Sequence, residues 1–264
     1  MTESQRKGLV RLGFTFGKGG THVARTMMLE ELAALLAHGN PETVTSDAYT
    51  SAIAVDNCLG KPSGRARQLT RRHLVSLYAL DPDVLLFRAL RFFWQRDETG
   101  QPLLALLCAC ARDAVLRESA PFLLDIPLGK TITRVETQVF VERTFPERFS
   151  PATLKSVAQN INGTWTRSGH LKGKVKKVRA RPQVTAGAAA YALLLAYLRG
   201  GRGMNLFASE YVKLLDCGRQ RAIELAEEAS RRGWLVFKSI GDVVEVQFPR
   251  LLRAEEKELV REQA

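Results

Sequence analysis

One long stretch of this sequence has no acid in it. Between Glu147 and Glu210 there is not a single aspartate or glutamate, although the 264-residue chain holds 27 of them. Eleven of its 39 lysines and arginines fall in that gap, and six of those crowd into LKGKVKKVRARP, residues 171 to 182. The rest of the chain is close to neutral, so the net charge of +12 belongs to one segment. A surface made only for solubility mixes both signs. A polyanion site concentrates one sign where counterions can be displaced. An acidic protein partner or a solvated charge run would also fit, but the basic patch favours nucleic acid.

Long apolar runs are missing as well. The longest, AGAAAYALLLAYL at 186 to 198, is shorter than the roughly 18 residues of a membrane span. It reads as a buried helix of a soluble protein, and no membrane partner is expected. Cys58, Cys108, Cys110 and Cys217 include no Cys-x-x-Cys pair. Nothing at the start resembles a signal peptide, so reduced thiols in a cytoplasmic protein are expected. His22, His38, His73 and His170 fall singly, without metal-ligand spacing, HExxH or a Ser-His-Asp set that sequence can defend. No catalytic residue, metal or cofactor is expected, and His170 reads as a solvated turn histidine. GFTFGKGGT, residues 13 to 21, lacks the spacing and the Ser or Thr of a phosphate loop. It reads instead as a lead-in to a helix over about 23 to 38 that stops at HGNP.

What is present is mostly helical periodicity. Ser46 or Asp47 caps a helix ending near Gly60, and Ser63 opens the strongly cationic SGRARQLTRRHLVSLYAL. Asp81-Pro82, Gln101-Pro102 and Ser119-Ala120-Pro121 place proline near helix starts. Thr133 and Glu136 have the spacing of a capping box. PLLALLCACARDAVLR, about 102 to 117, is apolar nearly all round and reads as the central helix of a bundle. No strand pattern competes before about residue 170. Ser150-Pro151 then opens another helix that leads into the basic run, a short strand or hairpin edge ending at Pro182.

The last third has the clearest order: a helix from about 184 to 199, a second over LFASEYVKLL, the turn DCG, and a third helix RQRAIELAEEASRRG. WLVFKSIGDVVEVQF then alternates on both sides of a Gly-Asp turn, as in a β-hairpin. This is the order of a winged helix-turn-helix. Arg219, Gln220 and Arg221 open its third helix, where DNA contacts fall, and Lys238 lies on the wing. Glu224, Glu227 and Glu228 give the same helix an acidic face. Either its start approaches DNA, or the winged helix binds protein and the basic segment holds the nucleic acid. The chain is therefore expected to be mainly α: a helical bundle (1–148), a helix with a basic extended segment (149–183), a winged helix-turn-helix with a small β-hairpin (184–252), and a charged tail (253–264).

Three blocks carry a family likeness: NCLGKPSGRARQLTRRHLVSLYAL, LLALLCACARDAVLRE with the following PFLL, and FVERTFPERFSPATLKSVAQNINGTWTRSGHL. Over about residues 20 to 172 the chain resembles the BrxA family of the bacteriophage-exclusion (BREX) defence systems. The resemblance implies a helical domain similar to the antitermination factor NusB, followed by a helix-turn-helix region. It also implies double-stranded DNA binding without catalysis and other defence proteins as partners. Lys61, Ser63, Arg67, Arg71 and Arg72 match the family's basic helix. With Arg167, Lys172, Lys174, Lys176, Lys177, Arg179, Arg181, Arg219, Gln220, Arg221 and Lys238 they are the candidate nucleic-acid contacts. The extension beyond about residue 183 departs from the family. A winged-helix transcriptional regulator and a protein-interaction scaffold are the alternatives.

Overall fold

The computed structural model describes residues 1–17, 19–38, 45–241 and 243–262. The fold is mainly helical with two small antiparallel sheets. The helices are α1 (Glu3–Leu12), α2 (Leu29–Leu36), α3 (Ser46–Ala54), α4 (Gly64–Tyr78), α5 (Leu85–Trp94), α6 (Gln101–Arg112), α7 (Ala114–Leu124), α8 (Arg134–Thr144), α9 (Pro151–Arg167), α10 (Ala186–Leu198), α11 (Glu210–Lys213), α12 (Arg219–Arg231) and α13 (Ala254–Arg261). The strands are β1 (Thr131–Ile132), β2 (Leu171–Lys172), β3 (Lys177–Arg179), β4 (Val236–Ile240) and β5 (Val243–Gln247).

Local chemistry sets most helix starts. Ser63, Ser150 and Thr185 each accept a backbone N–H with the side-chain oxygen and so cap α4, α9 and α10. Thr133 and Glu136 form the reciprocal capping box of α8, which satisfies donors that a helix start otherwise leaves orphaned. Pro102 and Pro151 sit in first turns, where a missing N–H costs little.

Two helices form the centre. Every residue from Leu103 to Ala111 of α6 is buried, and each such leucine contributes about 1.5–3 kcal/mol. α10 is buried on all sides except at Tyr197 and packs against α5 and α6 as well as α11 and α12. Its alanines let those neighbours approach, and the Tyr191 hydroxyl donates to Leu86 O at 3.0 Å. One hydrophobic cluster therefore runs from α1 to α13.

Several elements differ from the sequence reading. The expected helix over 23 to 38 is a 3-10 turn at Thr21–Val23 and then α2, with Met28 at φ 52° between them. Its expected stop at Gly39, Asn40 and Pro41 lies outside the described residues, as do Lys18 and the Asp242 half of the wing turn. Thr45, rather than Ser46 or Asp47, caps α3, which ends at Ala54 rather than near Gly60. The helix expected over 102 to 117 breaks at Asp113, whose carboxylate caps α7, so Pro121 falls inside α7 rather than near its start. The first half also contributes a strand. β1 pairs antiparallel with β3, Thr131 opposite Val178, and the sheet order is β1-β3-β2. LFASEYVKLL shortens to a 3-10 turn and the single turn of α11. The charged tail folds as α13, with Val260 buried and Glu256 held by Arg88 at 2.6 Å.

Candidate nucleic-acid interface

The basic run folds back on itself as the β2–β3 hairpin, with Leu171 opposite Arg179 and Lys172 opposite Val178. Gly173 makes the tip possible: its φ is 97°, and a Cβ there would run into Lys176 O. Lys172, Lys174 and Lys176 are exposed, and among the described residues none pairs with a carboxylate. Val175, between them, is 91% exposed. Lys177 is half-buried and donates to Gly173 O at 2.8 Å; burial, then the nearby Arg167, pushes its pKa down. Arg167, at the end of α9, pairs with Glu30 at 3.1 Å.

Arg179 points the other way. It is 3% exposed, and its guanidinium donates to Leu123 O at 3.2 Å, to the carbonyls of His170 and Ala180, and to Asp216 at 2.8 Å. This corrects its place among the DNA contacts, because it is a buried fastener of the hairpin. His170 is corrected too. It is fully buried, with Nε2 donating to Leu214 O at 2.9 Å and Nδ1 facing Ser168 Oγ at 2.8 Å. Burial, with a smaller push from Arg179, drives its pKa down to about 3. Both residues reach the turn before α12. The hairpin therefore lies beside the start of that helix.

On α12 the picture is mixed. Arg219, Gln220 and Arg221 are exposed, and Arg221 pairs with Glu224 at 2.9 Å. Arg221 also lines a cleft of about 400 Å³ with Arg96, Asp97 and Arg232. Burial raises the Cys217 thiol, and Arg221 and Arg181 pull it back. Ala222, Leu225, Ala226 and Ala229 face the core. At 100° per residue the opposite, solvent face centres on Gln220, Glu224, Glu227 and Arg231. Beyond α12, Lys238 lies opposite Glu245 at 3.8 Å, and the β4–β5 hairpin exposes Ile240 and Val243.

The residues around α4 form a second cationic surface. Arg65, Arg71 and Arg72 border a shallow cleft of about 410 Å³ on one side of the helix. Lys61 pairs with Glu31 at 3.1 Å, the Ser63 hydroxyl is engaged as the helix cap, and the buried Nε of Arg67 makes no hydrogen bond. Glu30 and Glu31 are neighbours on α2, and each neutralises one cation, Arg167 on the hairpin side and Lys61 on the α4 side.

The structure also gathers a triad that no sequence spacing announces. His22 Nδ1 lies 2.9 Å from Asp113 Oδ2, and its Nε2 lies 2.8 Å from Thr164 Oγ1. Burial pushes the Asp113 carboxyl up, but attraction to His22 and hydrogen bonds from His22 and Leu116 outweigh it, and its pKa falls. All three residues are buried, and Thr164 Oγ1 also accepts from Met27 N at 2.9 Å. The triad therefore ties the 3-10 turn, α7 and α9 together in the interior. Among the described residues no group of three or more His, Cys, Asp or Glu could hold a metal, and no helix is long and apolar enough to cross a membrane.

The chain matches no family model and no curated protein.

Proposed function

We propose that this protein binds double-stranded DNA without catalysis, through the β2–β3 hairpin and the adjoining start of α12, as a component of a phage-defence system of the BREX type. The observation that carries the DNA reading is the hairpin itself. Three exposed lysines project from the hairpin with no carboxylate partner among the described residues, which is the arrangement that displaces counterions from a phosphate backbone. The helix, turn, helix and hairpin order of residues 186 to 247 supports a winged helix beside it. The assignment to a defence system rests on the resemblance of residues 20 to 172, which also implies the NusB-like bundle.

A second reading has its own support. The solvent face of α12 carries Glu224 and Glu227, and Ile240 and Val243 are exposed beside the β4–β5 turn. On that reading the winged helix docks a protein and the hairpin alone holds DNA. An electrophoretic shift on random duplex DNA across a salt series tests the proposal. Binding that ignores sequence and weakens steeply with salt is expected, whereas no shift at moderate salt would refute it.

A further inference from the structure

We infer that Arg179, His170 and Asp216 are positioning residues, which lock the lysine hairpin and the start of α12 into one surface addressed to a single duplex. The inference rests on the DNA reading above. Its basis is how differently the two sides of the hairpin are used. Outward, Lys172, Lys174 and Lys176 have no carboxylate partner among the described residues. Inward, Arg179 spends its guanidinium on three places at once: Leu123 O at the end of α7, the His170 and Ala180 carbonyls that flank the hairpin strands, and Asp216 in the turn before α12. His170 adds a second tie to the same turn through Leu214 O.

Asp216 sits at φ 52° in that turn, a left-handed conformation that an aspartate tolerates better than most residues. Its side chain is only 20% exposed and that of Arg179 only 2%. A buried charge of this kind is satisfied in one geometry, so the pair specifies how the turn, and with it Arg219, stands beside the lysines. Arg219 and Arg221 are exposed at the start of α12, Arg221 being paired with Glu224 at 2.9 Å.

The test removes both charges together, because deleting one would strand the other in the core. In Arg179→Met/Asp216→Ala the apolar stem stays packed, and the thermal transition should remain cooperative. Spin labels at Val175→Cys and Gln220→Cys, both exposed, in a background with Cys58 and Cys217 replaced by serine, report the distance from hairpin to helix by pulsed electron paramagnetic resonance. A narrow distribution is expected in the otherwise intact protein and a broad one in the double variant. A distribution equally narrow in both overturns the inference whatever the DNA result.

The DNA arm reads the slope of log affinity against log salt, which a smaller folded fraction does not change. Arg219→Ala should lower that slope by about one in the intact protein. It should leave the slope unchanged in the double variant, whose α12 no longer sits on the duplex. An equal effect of Arg219→Ala in both backgrounds overturns the inference. Failure of the intact protein to bind duplex DNA overturns the DNA reading instead, and the distance measurement still decides the lock.

Discussion

In the β2–β3 hairpin, Lys172, Lys174 and Lys176 stand in solvent without a carboxylate partner, and the one buried cation, Arg179, holds Asp216. In the β4–β5 hairpin the single lysine, Lys238, faces Glu245 across the strands, and Ile240 and Val243 are exposed. The two hairpins share a topology and divide their charge in opposite ways. One hides a structural ion pair and shows free cations, while the other shows a neutralised pair and free apolar surface. The comparison teaches that the number of basic residues on an element is a poor guide to its use. What matters is which cations the fold has already neutralised.

The sharpest way to break this contrast is through the ion pairs. Asp216→Ala leaves Arg179 buried and uncompensated, so it should cost about 3–5 kcal/mol of stability, read by denaturant or thermal melting. Lys238→Ala removes a pair whose side chains are 68% and 48% exposed, and should change stability by less than about 1 kcal/mol. Equal costs would mean that the burial difference carries no energetic weight.

Next in size is the loss of free charge. Replacing Lys172, Lys174 and Lys176 together by alanine should lower affinity for every duplex alike and flatten the salt slope by up to about three. The intact protein should then lose roughly 40-fold more affinity than the variant between about 50 and 200 mM salt. Melting should be unaffected, since all three side chains are exposed. An unchanged slope would assign the run to a solvated surface.

A third measurement uses protons. His170 is held neutral in the fold, its pKa driven down to about 3 by burial, against about 6.5 in an unfolded chain. Between those values the unfolded chain binds a proton that the folded one refuses, so stability should fall as pH drops from about 6.5 toward 3. The full slope is about 1.4 kcal/mol per pH unit. His170→Gln, which keeps an N–H for Leu214 O, should flatten that fall in melts taken from pH 6 to pH 4.

The smallest expected effect separates the start of α12 from the wing. Arg219→Ala should reduce the salt slope by about one, and Lys238→Ala should leave it alone because Glu245 already faces that lysine. A larger effect at Lys238 than at Arg219 would move the DNA contact to the wing.

Features written in neighbouring residues were legible in the sequence. Ser63, Thr133 with Glu136, and Ser150 with Pro151 announce their helices by chemistry spanning three positions. Alternation marks β4 and β5, and an all-apolar composition marks α6 and α10 as core. Features made by distant pairs were not legible. Asp113 ends one helix and caps the next while bonded to His22, 91 residues away, and two-residue β1 exists only because β3 lies beside it. For the interface, the acid-free run located the lysines but could not say that Arg179 and His170 turn inward. Alternation hints at a side for Arg179, yet the slip at Lys176-Lys177 hides which one. No local signal reports the partner carbonyls of Leu123 and Leu214.

The burial of α10 has a consequence for how the chain is made. α5 and α6 leave the ribosome long before the helix that covers them, because α6 ends at Arg112 and α10 at Leu198. At about 5–20 residues per second, the growing chain carries an uncovered apolar wall of leucine and phenylalanine for roughly 4 to 17 seconds. During that interval the wall must be shielded by transient self-contacts or by a chaperone.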